Sequence, residues 1–167
     1  MTTRLQVSRD YPDPVAAFAA ALADPAFHSA RLDTGSGGEV VSHRQDGAAI
    51  TVVLRQPVPA EAVPRPIARL LGGALVITRT ERWTLSDTRL AAVIDVVVPR
   101  APVVAGGSTT VTATAGGSRL GIDVGVRVTV PLAGAFVEPS VVEGIRDLTA
   151  VEHDNIAAYL RARTGSA

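Results

Sequence analysis

Arg79, Glu81 and Trp83 stand at alternate positions of one run, bringing a permanent cation, a carboxylate and an aromatic ring together. In an extended strand such residues share a face. On an inward face carrying Leu75 and Ile77, Arg79 would anchor a carboxylate or an enolate. Glu81 would pair with it, because a buried charge needs a partner. The opposite phase, through Val76, Thr78, Thr80, Arg82 and Thr84, also satisfies the pattern, and a bulge would exchange the two. A surface or structural ion pair is the plainer reading of Arg79 and Glu81.

Glu152 interrupts an apolar helical stripe, where a carboxylate must find a donor, reach water or acquire a raised pKa. It is the polar residue best placed for a cavity floor, unless the stripe is rotated by one position so that Val151 faces inward. His43 shares an alternating face with Val41 and is a candidate interior acid, base or donor; a hydrogen-bonded structural histidine is the alternative. His28 falls near a helix end and His153 beside the stripe. Tyr159, with an apolar ring and a polar tip, either packs or closes one end of a cavity.

Other chemistries find little footing. The three histidines lack metal-ligand spacing, and the absence of cysteine excludes disulfides, thiolate catalysis and cysteine-ligated metals. No Gly-x-Ser-x-Gly occurs, and the glycines from Gly35 to Gly38 lack both a dinucleotide fingerprint and a Walker lysine. No catalytic residue and no cofactor is therefore assigned. Sixteen basic residues balance sixteen acidic ones without long runs, so no nucleic-acid partner is expected. Charges interrupt every stretch approaching a membrane span, and the N-terminus lacks an apolar signal core. The expectation is a cytoplasmic protein without stable membrane insertion.

These side chains must be positioned by 167 residues, of which 47% are hydrophobic but only 4% aromatic. That length fits a single domain, residues 1–167, burying roughly 70% of its unfolded surface. A core of Ala, Val and Leu permits a spacious interior without requiring one.

Leu5 and Val7 alternate in a first strand ending near Tyr11. Asp13 and Pro14 are placed to start a helix through Val15, Phe18, Ala19 and Leu22, which Asp24-Pro25 breaks. Ala26 to Leu32 gives a second helical turn. Asp46-Gly47 joins two alternating runs as a hairpin, whereas Pro57, Pro59, Pro64 and Pro66 exclude a central strand. A short helical piece is expected within Ala60 to Leu71. Strands follow at Ala74–Leu85, Arg89–Val98, Ser108–Ala115 and Arg119–Val130. In the last, Leu120, Ile122, Val124, Val126, Val128 and Val130 point one way, as in an antiparallel sheet with one covered face. A terminal helix of about 23 residues, Val141 to Arg163, would span roughly 35 Å. It is capped by Ser140 with Glu143, or by Glu138 with Pro139. Its stripe runs through Val141, Ile145, Leu148, Glu152, Ile156 and Tyr159, with Leu160 at the edge.

This order, a strand, two short helices, a multi-stranded antiparallel run and one long terminal helix, resembles the helix-grip architecture of the START-like superfamily. Relatives include polyketide cyclases, plant pollen-allergen relatives and lipid-transfer domains. A narrower likeness, to an actinobacterial START-like family, rests on Tyr11-Pro12, Thr80-Glu81-Arg82-Trp83 and Val128 through Gly134. The resemblance implies an α+β fold, a curved antiparallel sheet of about seven strands around the terminal helix, with a cavity between them. Lipids, sterols, polyketides or hydrophobic hormones fill that space in the superfamily, and the Pro-rich stretch Gln56 to Pro66 would form an entrance lid or fill the mouth.

The leading expectation is thus binding, transport or sensing of a small hydrophobic molecule, contacted chiefly by Ile122, Val124, Val126, Ile145, Leu148 and Ile156. Arg79, Glu81, Trp83, Glu152, Tyr159 and His43 are the further candidates. The alternatives are a cyclase or aromatase-like enzyme using Arg79, Glu81, His43 or Glu152, and a solid-cored interaction or structural domain. Homodimerisation through a sheet edge or the Pro-rich loop stays open.

Overall fold

Seven antiparallel strands form one sheet in the order β1-β7-β6-β5-β4-β3-β2, a meander whose last strand pairs with the first. A computed structural model describes residues 2–35, 37–58, 63, 65, 68–69, 75–129 and 134–165, with the backbone alone at 134 and 135. The elements are β1 (Thr3–Tyr11), α1 (Val15–Leu22), α2 (Pro25–Arg31), β2 (Glu39–Asp46), β3 (Ala49–Val58), β4 (Leu75–Leu85), β5 (Arg89–Val97), β6 (Val103–Thr114), β7 (Gly117–Val128) and α3 (Gly134–Thr164). The sheet wraps around α3 in the expected helix grip.

Local chemistry accounts for most boundaries. The Asp24 carboxylate accepts from the Ala26 N–H at 2.9 Å and caps α2, with Pro25 in its first turn. Asp46-Gly47 turns β2 into β3, Gly47 taking φ 56°. Ser86 closes the β4–β5 turn by accepting from Arg89 N–H and donating to Arg89 O.

Several expectations need correction. Pro14 occupies the α1 N-cap position without a side-chain cap, so Asp13 does not cap that helix. A bulge between Val40 and Ser42 shifts the phase of β2: Val40 opposes Leu54 and His43 opposes Val52, while Val41 is left 48% exposed. Pro57 lies within β3 and opposes Val76; one residue from the strand end, its missing N–H costs little. β6 begins at Val103, five residues before the expected start, because Gly106 and Gly107 interrupt an otherwise alternating run. β7 spans Gly117–Val128, two residues earlier at its start, and β5 is one residue shorter; Ala74 and Val130, the expected ends of β4 and β7, lie outside the described residues. Most of Ala60 to Leu71 lies outside the described residues; Val63 is buried.

The largest difference is α3, which is 31 residues long and carries Pro139 inside it. Neither Ser140 nor Glu138 caps it. Glu138 instead accepts from the Val128 N–H at 3.0 Å and the Thr3 hydroxyl at 2.8 Å, tying the early turns of α3 to β7 and β1. Those tertiary bonds hold a helical turn that Pro139 disfavours locally. The covered stripe is also wider than expected, taking in Val142, Thr149 and His153.

The interior divides into two apolar clusters. One gathers Tyr11, Phe18, Leu22, Phe27, Ile50, Trp83 and Ile156 under α1 and α2; the other gathers Leu5, Ala105, Val124, Val126, Val137 and Val142. Arg79 and Glu81 fall between Ile77 and Trp83 on β4. Glu152 falls between Leu148 and Ile156 on α3. The boundary between the clusters is therefore charged.

Candidate functional site

The β4 register settles the phase. Arg79 opposes Leu54 and Val96, Glu81 opposes Val52 and Ile94, and Trp83 opposes Ile50 and Ala92. All three face the interior, and Glu81 is 2% exposed. On α3, Glu152 is buried while Val151 is 42% exposed, so the stripe runs through Glu152.

A fourth charged residue, Arg31 in the last turn of α2, completes the group. Its Nη2 donates to Glu81 Oε2 at 2.6 Å and its Nη1 to Glu152 Oε1 at 2.8 Å. Arg79 donates from Nη1 and Nη2 to Glu152 at 3.0 and 2.8 Å, and its Nε makes an ion-pair contact with Glu81 Oε1 at 3.0 Å. Trp83 Nε1 donates to Glu81 Oε2 at 2.9 Å. His28 accepts from Arg31 at Nδ1, 3.0 Å, and therefore donates from Nε2 to Leu22 O at 2.9 Å. Two guanidinium groups and two carboxylates thus form a neutral tetrad between sheet and helices.

The electrostatics follow from this pairing. Burial pushes Glu81 upward, but Arg31 and Arg79, with the bonds from Arg31 and Trp83, outweigh it and hold the carboxyl at about 2. Burial likewise opposes ionisation of Glu152, and Arg79 and Arg31 overcome it, so its pKa falls below the usual carboxylate range. Burial and the adjacent Arg31 charge depress His28 to about 4. Near neutral pH the tetrad is ionised and His28 neutral. Neither carboxyl holds a proton to donate, and neither is an unpaired base.

An apolar cavity of about 150 Å³ adjoins the tetrad. Ile122 and Val124 from β7, Ile145 and Leu148 from α3, and Ile77 from β4 form much of its wall. Arg79, Glu152, Gln56 and Thr149 are its polar members. A smaller hollow, about 40 Å³, lies on the other side of the charged group, against Trp83, Glu81, Arg31, His153 and Ile156. Arg79, Glu152, Ile94 and Ile122 border both hollows, so the tetrad forms a partition between them. A broader polar hollow of about 300 Å³ lies on the outer face over β1, β6 and β7. Its Asp123 carboxylate is already held by Arg4 and Gln6, and it lacks the enclosed apolar wall expected of a small-molecule site.

The expected residues are therefore distributed unevenly. Arg79, Ile122, Val124, Ile145, Leu148 and Glu152 meet at the larger cavity; Glu81, Trp83 and Ile156 line the smaller hollow. Val126 is fully buried in packing. Tyr159 stands edge-on to Phe27 and donates to Asp24 at 2.6 Å, tying α3 to α2. His43 bonds Leu22 O at 2.9 Å beside His28. Val126, Tyr159 and His43 lie outside the walls of both interior hollows.

Sequence reasoning missed Arg31, Gln56, Thr149 and the burial of His153. Arg31 left one signal: two inward carboxylates against one inward arginine imply a second cation. Among the described residues no cluster of three or more His, Asp and Glu is arranged to hold a metal ion, and no helix is long and apolar enough to cross a membrane.

Solved structures share the fold along nearly the whole chain. TTHA0849 from Thermus thermophilus is 15% identical, with 96% of this chain and 99% of that one covered and a TM-score of 0.64. The Zhui aromatase/cyclase from a Streptomyces species is 13% identical, with 98% and 96% covered and a TM-score of 0.62. Protein Ms6760 from Mycobacterium smegmatis is 18% identical, with 96% and 92% covered and a TM-score of 0.57. No curated protein matches significantly in sequence. The chain belongs to the family described as protein of unknown function (DUF2505), whose sequence profile matches residues 6–160.

Proposed function

We propose that this DUF2505 member binds a small, predominantly apolar molecule between the inner sheet face and α3. The observation that carries the reading is the apolar cavity of about 150 Å³ placed against a charged partition. A largely apolar cavity of this size has room for a single-ring guest, and burial of the guest's apolar surface supplies the driving force, about 25 cal/mol per Å² before ordering costs. We place it in the cytoplasm as a carrier, store or sensor of its ligand.

Paired, ionised carboxylates favour binding over proton-transfer catalysis. A general acid needs a proton at working pH, and a general base needs a free lone pair aimed at substrate; Glu81 and Glu152 accept from arginine instead. The aromatase/cyclase among the structural relatives shares the fold at 13% identity, which leaves its chemistry its own.

Native mass spectrometry of the purified protein, with denaturing extraction, tests the reading. A stoichiometric small-molecule adduct is expected in the wild type, and Ile145→Phe and Val124→Phe should remove it while the fold persists by circular dichroism. Absence of any adduct after exposure to a panel of apolar ring compounds and short lipids, or full occupancy in both variants, would overturn it.

A further inference from the structure

We infer that the ligand is an uncharged molecule about the size of a single ring, whose one polar group hydrogen-bonds to Gln56 and Thr149. The inference rests on the binding reading above and adds the chemical class.

Charge balance excludes an ionic guest. Arg79 and Glu152 are the charged residues among those bordering the cavity, and they already neutralise each other through two hydrogen bonds. Their partners are matched as well: Arg31 joins Glu152 to Glu81, and Trp83 fills a remaining acceptor on Glu81. An anionic head at Arg79 would add a second negative charge beside Glu152, which already neutralises that guanidinium. A cationic head at Glu152 would add a third cation to a carboxylate already shared by Arg79 and Arg31. Either guest buries a charge without a counter-ion, which a low-dielectric interior penalises heavily.

Two polar side chains on the cavity wall have no such commitments. Gln56 is 4% exposed and opposes Ile77 on the inner face, diagonal to Arg79. Thr149 is 8% exposed and lies one turn before Glu152 on α3. Among the described residues, neither side chain makes a hydrogen bond, although Ser29 and Thr164 bond to carbonyls of their own helices. A buried amide offers both a donor and an acceptor, and a hydroxyl does the same. Wall groups that no side chain engages are free to bond a guest, and a neutral alcohol, phenol, ketone or amide does so without adding charge. The cavity of about 150 Å³ limits the remainder to a ring or an equivalent short chain.

Protein-observed NMR titrations at neutral pH with toluene, benzamide and benzoate separate the outcomes. Benzamide is expected to bind at least about tenfold more tightly than benzoate. Gln56→Leu and Thr149→Val should each weaken benzamide several-fold while toluene binding is retained, which also shows that the variants are folded. Benzoate binding as tightly as benzamide, or benzamide binding unchanged in both variants, would overturn the neutral-ligand inference while toluene binding upholds the cavity. Binding by none of the three, toluene included, would overturn the cavity reading and this inference with it.

Discussion

Arg79 on β4 grips Glu152 on α3 through two hydrogen bonds of 2.8 and 3.0 Å, bridging the sheet to the helix that it surrounds. The pair belongs to a neutral set of four, so removing one member leaves a net buried charge. Glu152→Leu should leave Arg31 and Arg79 sharing Glu81 and cost about 3–5 kcal/mol. Urea denaturation followed by circular dichroism measures it; a loss below about 1 kcal/mol would mean that water reaches the tetrad.

Adding Arg79→Met to Glu152→Leu removes one charge of each sign and leaves Arg31 with Glu81, still bonded at 2.6 Å. The double variant is expected to be more stable than Glu152→Leu alone, because an apolar pair replaces an unmatched buried cation. A double-mutant cycle reads the coupling directly. Additive losses would show that the two side chains stabilise the fold independently.

Acid should destabilise the protein in two stages. His28 has a folded pKa of about 4 against an ordinary 6.5, through burial and the neighbouring Arg31 charge. The unfolded chain therefore binds the proton first. Stability from keeping His28 neutral is complete above about 6.5 and is lost as pH falls toward 4. Glu81, held at about 2 against an ordinary 4.5, contributes stability that is present above 4.5 and lost as pH falls toward 2. Denaturation midpoints from pH 8 down to 3 should fall across both windows, and His28→Gln should flatten the upper one. An unchanged upper slope in that variant would assign the titration elsewhere, with His153, whose pKa is also lowered by burial, as the next group to replace.

Trp83 donates its indole N–H to Glu81 at 2.9 Å, so Trp83→Phe keeps most of the ring but strips a charge-assisted bond from a buried carboxylate. A loss of about 1.5–3 kcal/mol is expected. Trp83 is the single tryptophan, so the comparison must be followed by far-UV circular dichroism rather than fluorescence. A change within about 0.5 kcal/mol would show that the arginines alone satisfy Glu81.

Periodicity made the fold readable because it reports which face is covered. The alternation from Leu120 to Val128 and the helical spacing of Ile145, Leu148, Glu152 and Ile156 placed sheet and helix correctly. What periodicity lacks is the third dimension. Val41 seemed to share a face with His43 because a bulge leaves no mark in alternation. Pro139 looked like a helix start because the bonds from Glu138 to Thr3 and Val128 join distant parts of the chain. Arg31 was invisible for the same reason: it sits in a seven-residue helix, 50 positions from Glu81 and 121 from Glu152. Glu152 was legible as a misplaced charge and Glu81 as a partner for Arg79 in one of two possible phases, whereas the cation between the carboxylates required the fold.

The curvature that makes room for α3 also has a local test. A Cβ built on Gly107 of β6 would stand 2.0 Å from the Asp123 carbonyl oxygen and 2.8 Å from the Val124 Cα of the adjoining strand. Both are backbone atoms and cannot swing aside. Gly107→Ala should therefore pry β6 from β7 beside the cavity wall and cost about 3 kcal/mol or more. Gly121, on β7, provides the contrast: its nearest atom would be the Thr110 hydroxyl oxygen at 3.6 Å, an ordinary contact. Gly121→Ala is expected to change stability by less than about 1 kcal/mol. Thermal and urea denaturation of the two variants side by side measures the difference. Equal, small effects would show that the β6–β7 pair relaxes to accept a methyl group, and that close backbone approach is not what fixes the curve of the sheet.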